Sequence, residues 1–149
     1  MSTSKILVAS DVKGRHIDLF AAVSKATHGK TGPYDALLCV GQFFGEGDME
    51  LEEFISLRKA IPIPCYFIAA ADGKLRSSLS INDLPEGGEL CPNLHWLGPG
   101  GVLEVAGLEV AFLSGVYEEN IYKAGPTATM ARGRRASHAS AVWQSHHSP

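Results

Sequence analysis

Asp11 stands at the end of an apolar run, Lys5 to Ser10 (KILVAS), and Gly14 follows three residues later, ahead of an amphipathic segment. In an α/β protein this is a first strand feeding a first helix. Ligands bind at that edge of a parallel sheet, beyond the carboxyl ends of the strands. A carboxylate there can ligate a metal or hold a ribose hydroxyl. Its chemistry depends on its neighbours, and the nearest is Lys13, whose ammonium would repel a cation unless it lost its proton. His16 reads as a first-turn helical residue facing solvent. His95, beside Trp96, reads as a half-buried or edge strand residue rather than a ligand. Neither GxxxxGK[ST] nor GxGxxG occurs, so a nucleotide-type phosphate cradle has no support. Cys39, Cys65 and Cys91 are odd in number and far apart, without a CxxC pair. They read as buried, reduced thiols of a cytosolic or nuclear protein, not as zinc ligands.

The elements that must position these residues follow from apolar patterning. Arg15 to Lys30 carries Leu19, Val23 and Ala26 at i, i+4 and i+7, a helix packed on a sheet. Gly29 to Pro33 ends it. Asp35 to Phe44 (DALLCVGQFF) predicts a second buried strand, and Glu46 to Ala60 a second helix with Leu51, Phe54, Ile55 and Arg58 on one face, stopped by Pro62 and Pro64. Cys65 to Ala70 (CYFIAA) predicts a third strand, apolar enough to be covered on both faces. Asp72 to Gly88 is polar, with at most one helical turn around Leu75 to Ser80. Asn93 to Gly98 predicts a fourth strand. Val102 to Ala106 and Leu108 to Ser114 predict a hairpin turning at Ala106-Gly107. The fold class is therefore α/β, with a mainly parallel sheet built β-α-β-α-β and followed by short strands that include a hairpin.

Length and charge agree with one domain and a tail. The chain has 149 residues, 45% of them hydrophobic, enough for one core. No stretch approaches the roughly 20 apolar residues of a membrane span, and the N-terminus lacks the pattern of a secretory signal. The formal charge of −3 is uneven: the sequence through Glu119 holds all 16 acids, whereas Lys123, Arg132, Arg134 and Arg135 follow with no acid. An acidic body argues against broad contact with nucleic-acid phosphates, and a small basic tail permits only slight contact with RNA. From about Ala124 no period of 2 or 3.6 survives, so residues 1–122 read as the domain and 123–149 as a disordered basic tail. Arg134-Arg135-Ala136-Ser137 matches a basophilic kinase site, a string short enough to arise by chance. His138, His146 and His147 read as exposed tail residues rather than a metal site.

Together, Asp11-Val12-x-Gly14, LLCVGQFFG at Leu37 to Gly45, PCYFIAA, NLHWLG and LEVAFLSG resemble the N-terminal domain of the CwfJ-type splicing factors, the Cwf-nineteen-like proteins. That domain is similar to calcineurin-like metallophosphoesterases. The resemblance covers roughly Lys5 to Gly115 and rests most on Val40-Gly41-x-Phe43-Phe44-Gly45 at its distance from Asp11. It implies a metallophosphoesterase-like sandwich, here incomplete. A two-metal hydrolase needs Asp-x-His after its first strand, a bridging Asp after its second, an Asn-His after its third and later histidines, to activate water and clamp phosphoryl oxygens. This chain has Asp11 but Lys13 for the histidine, Gln42 for the bridging carboxylate, and Ala71-Asp72 where Asn-His belongs. Ser114-Gly115-Val116 offers no later histidine. A neutral amide cannot bridge two divalent cations, so no metal, cofactor or catalytic role is expected. The Asp11 carboxylate is expected to pair with Lys13 or to accept N–H bonds at the start of the first helix.

The resemblance implies a nuclear, non-catalytic module of pre-mRNA splicing. Its implied partners are spliceosomal proteins of late complexes and the lariat debranching enzyme that such proteins assist. The old site becomes a docking rim of Asp11, Lys13, Gln42, Phe43, Phe44 and Asp72, with one of the two phenylalanines in the core and the other exposed. Two alternatives stand beside this reading. One is a metal-dependent phosphodiesterase with a degenerate site. The other is a truncated isoform without independent function, because the family's C-terminal modules and the strands that complete the second sheet are missing after about Tyr117 to Ala124. An incomplete sheet leaves apolar strand edges exposed.

Overall fold

The computed structural model describes residues 3–47, 49–69, 84, 86–117 and 119–124. The elements are β1 (Ile6–Ser10), α1 (His16–Thr27), β2 (Ala36–Val40), α2 (Met49–Ile55), β3 (Cys65–Phe67), β4 (Gly88–Cys91), β5 (Leu94–Trp96), β6 (Gly100–Val105), β7 (Leu108–Leu113) and α3 (Glu119–Ala124). One sheet has the order β1-β2-β3-β5-β4 and a second consists of β6 and β7. The first three strands and β5 run parallel, and β4 is antiparallel to β5. The mainly parallel α/β fold is thus observed. Among the described residues no full second sheet lies against the first.

Strand alternation sorts the sheet into two faces. Register brings Leu7, Leu37, Cys65 and Leu94 into one row and Ala9, Cys39, Phe67 and Trp96 into the next. These rows join Phe20 and Val23 of α1 and Leu51 and Phe54 of α2 in a single hydrophobic cluster. Fully burying side chains such as Phe67 or Leu37 contributes about 1.5–3 kcal/mol each. The opposite face carries Ile6, Val8, Leu38, Val40, Tyr66 and His95, none of them in that cluster. Val8 is 67% exposed there. The sequence reading that β3 is covered on both faces is therefore corrected: Tyr66 is half-buried and stacks on His95 with ring centroids 4.8 Å apart. Helices α1 and α2 serve one side of the sheet.

Other differences have local causes. The core stripe of α1 is His16, Phe20 and Val23, with Leu19 and Ala26 only half-buried. The second helix is Met49–Ile55, not Glu46 to Ala60. It ends before the prolines because Leu57 turns into the left-handed region at φ 61, and Arg58 folds back to Glu53 at 3.2 Å. The strand read as Asp35 to Phe44 pairs only over Ala36–Val40, since Gly41 takes φ 72. Strand β4 and the short helix α3 have no clear sequence signal; α3 includes Lys123 and Ala124, which the sequence reading assigns to the tail. The hairpin is as expected, with Ala106 at φ 51 and Gly107 at φ 80, the paired positive angles of a two-residue turn. The helical turn read at Leu75 to Ser80, the kinase-like string and the tail histidines lie outside the described residues.

Candidate functional site

The loops that leave β1 and β2 continue the pairing of their strands. Asp11 N–H donates to the Val40 carbonyl (3.3 Å), Lys13 N–H to the Gln42 carbonyl (2.9 Å) and Gly14 N–H to the Phe43 carbonyl (3.1 Å). Such close parallel backbones require glycine at the contacts. A Cβ on Gly14 would come within 3.1 Å of the Gly45 Cα, and one on Gly45 within 2.8 Å of the Lys13 carbonyl oxygen. Asp11 (φ 53) and Lys13 (φ 51) also take left-handed angles, at roughly 1 kcal/mol each. The bonds to the second loop hold them there.

Asp11 has a partner that neither sequence expectation named. Its Oδ1 accepts the Gln42 backbone N–H at 3.0 Å. The ion pair with Lys13 is not formed. Nor does Asp11 cap α1: the Ile17 N–H in its first turn donates to Glu50 Oε2 of α2 at 2.8 Å. That carboxylate satisfies one of the orphan donors of the helix start and complements its dipole. The carboxylate of Asp11 thus locks the two loops together.

His16 and the two phenylalanines correct the sequence reading most. His16 is 0% exposed, not solvent-facing. Its ring lies 4.7 Å from that of Phe43 and 6.4 Å from that of Phe44. Phe43 stacks on Phe67 of β3 at 4.1 Å and meets Phe44 edge-on at 5.1 Å. Both phenylalanines are buried, at 1% and 7% exposure, so neither lies on an accessible rim. The physical reason is the same for all three. Side chains at a helix start lean back over the preceding turn, and the β2 loop folds its aromatic pair into that space. The His16-Phe20-Val23 spacing was the available signal, because i, i+4, i+7 places a first-turn histidine on the core stripe.

Both His16 ring nitrogens lack a well-formed hydrogen bond. Burial pushes its pKa below the usual histidine value; the Glu50 carboxylate and the Phe43 and Gly14 backbone oppose that shift in part. His16 is therefore neutral in the folded protein near pH 7. The thiols of Cys39 and Cys65 lie 3.8 Å apart on neighbouring strands. The contact with Cys39, together with burial, raises the Cys65 pKa well above the ordinary range, and burial followed by Glu89 raises that of Cys91. All three cysteines are buried and free.

Of the residues singled out as the old metal positions and the rim, Asp11, Lys13 and Gln42 meet at the loop junction with exposed side chains. Ala71 and Asp72 lie outside the described residues. The described residues of this junction do not fit a metal centre: one oxygen of Asp11 is engaged by Gln42, and Lys13 and Gln42 supply no anionic donor. Among the described residues no three His, Cys, Asp or Glu side chains are grouped to hold a metal ion. Among them, too, no helix is long and apolar enough to cross a membrane.

Fold and junction define an α/β sheet domain in which the loops leaving β1 and β2 are bonded to one another. No protein-family model matches the chain. Individual proteins do. It is 40% identical over 114 residues to a CWF19-like protein 1 homolog of Caenorhabditis elegans, covering 76% of this chain and 20% of that protein. It is 39% identical over 125 residues to zinc finger CCCH domain-containing protein 59 of Oryza sativa subsp. japonica, covering 74% and 20%. With CWF19-like protein 1 of Homo sapiens it shares 35% identity over 118 residues, covering 78% and 21%. The chain belongs to the Cwf19-like (CwfJ-type) family. It spans about a fifth of the length of the curated relatives it matches.

Proposed function

We propose that this chain is a non-catalytic docking module of pre-mRNA splicing, acting in the nucleus on late spliceosomal complexes and in support of intron-lariat debranching. Family membership supports the splicing role. The observation that carries the non-catalytic reading is the Asp11 carboxylate accepting the Gln42 N–H, where a phosphoesterase would need a free metal ligand beside a second carboxylate. The parallel sheet with helices on one side is compatible with half of a metallophosphoesterase-like sandwich. In this reading the exposed Asp11, Lys13 and Gln42 side chains form the contact surface, and Phe43 and Phe44 support it from below.

The test is co-precipitation from nuclear extract with the tagged chain, scoring the lariat debranching enzyme and intron-lariat RNA. Enrichment that is lost with Lys13→Glu and Gln42→Arg supports the docking rim; wild-type recovery no better than a tag-only control sinks it. Manganese-dependent cleavage of bis-p-nitrophenyl phosphate that Asp11→Ala abolishes would overturn the non-catalytic reading.

A further inference from the structure

The hairpin β6–β7 is a sheet of two strands, and no described strand pairs with either outer edge. Isolated two-stranded ribbons are marginal in water, and a third or fourth strand with an apolar face is what stabilises them. Apolar exposure concentrates here. Val102, Leu103, Leu108 and Leu113 of the hairpin and Val116 and Tyr117 just after it are exposed.

The free edge of β7 is the better template. Its sequence, LEVAFL, has no Pro, Gly or Lys and one charge, so it lacks the usual devices that blunt an edge. The edge of β6 begins with Gly100-Gly101, which weakens a strand. The phase of the β7 edge follows from the register. A two-residue turn makes Val105 and Leu108 a hydrogen-bonded pair, and pairs then alternate. Ser114 N–H donating to the Pro99 carbonyl at 2.8 Å fixes the same phase at the far end. The N–H and C=O groups of Glu109, Ala111 and Leu113 therefore point outward.

We propose that a second copy of this chain pairs with that edge, β7 against β7 about a two-fold axis, giving a four-stranded sheet β6-β7-β7-β6. The occupant is a second copy because the edge is self-complementary. A two-fold axis normal to the sheet keeps each face on its own side. In both central registers it allows, Glu109 of one copy faces Ala111 or Leu113 of the other, so the one charge of the strand is never opposed to itself. Pairing also aligns Leu108, Val110 and Phe112 of both copies on one face. Residues 125–149 are a poor competitor for the edge, since their large apolar residues are Met130, Val142 and Trp143, without an alternating run.

The test is sedimentation of the full 149-residue chain across a wide concentration series. The expected result is a monomer–dimer equilibrium ending at twice the chain mass. Ala111→Pro removes an outward N–H while leaving the β6–β7 ladder paired, and should weaken the dimer by at least about tenfold. Leu108→Lys charges an exposed position on the seam and should do the same without a backbone change; Val102→Lys, on β6, should leave the dimer intact. Circular dichroism confirms that each variant is folded. A wild-type monomer at every concentration, open-ended assemblies instead of a dimer, or a dimer that survives both β7 variants would each overturn the proposal.

Discussion

The loop junction beside β1 and β2 and the hairpin β6–β7 both hold non-glycine residues at positive φ, Asp11 and Lys13 in one and Ala106 in the other. Their support differs. The junction is tied by backbone bonds, an Asp11 carboxylate and the packed rings of His16, Phe43, Phe44 and Phe67. The hairpin has its own ladder, one buried valine, Val105, and a hydrogen bond from Ser4 Oγ to the Ala106 carbonyl at 2.6 Å. The loops after β1 and β2 are thus more firmly packed than the hairpin, because the aromatic residues beneath them also build the core.

Substitutions should separate the two regions. Phe43→Ala should cost most, about 3–5 kcal/mol, by opening a cavity among three rings; urea unfolding measures it, and a loss below 1 kcal/mol would show that the cluster collapses around the gap. Gly41→Ala should cost about 1–2 kcal/mol, because a side chain at φ 72 is strained and its Cβ would collide with Asp11 Oδ1 and displace it from Gln42. A smaller effect depends on pH. His16 has a lower pKa folded than unfolded, so the unfolded chain binds its proton first as pH falls. The stability it contributes is complete above the unfolded value near 6.5 and is lost below it. His16→Phe should flatten this slope in melts between neutral and mildly acidic pH; an unchanged slope would assign the effect to other groups. Val102→Lys, on the exposed face of the hairpin, should change stability least, within about 0.5 kcal/mol. A larger loss would mean that this face is covered in solution.

The sequence disclosed elements where apolar runs were long or two runs flanked a turn. The runs at Ile6–Ser10, Ala36–Val40 and Cys65–Phe67 are of the first kind, and the runs flanking Ala106-Gly107, a weaker turn signal than Asn-Gly, are of the second. Strand β4 escaped because its four residues, GELC, are shorter than any periodicity test. The end of α2 escaped because a left-handed leucine, not a proline, terminates it. At the site, the family resemblance implied that Asp11 and Gln42 would be neighbours, and the Asp11 carboxylate does accept the Gln42 N–H. What could not be read was the direction of Phe44: whether it points in or out depends on how two loops lie over one another, a tertiary fact with no period.

The thiols of Cys39 and Cys65 sit at the centre of the sheet, sealed from solvent. A thiol-specific reagent can reach them only when the strands part. Its rate of reaction, divided by that of a free cysteine, is then the fraction of time the sheet stands open. The protein carries a built-in clock of its own breathing, and that clock would slow if a partner or a second copy held the fold closed.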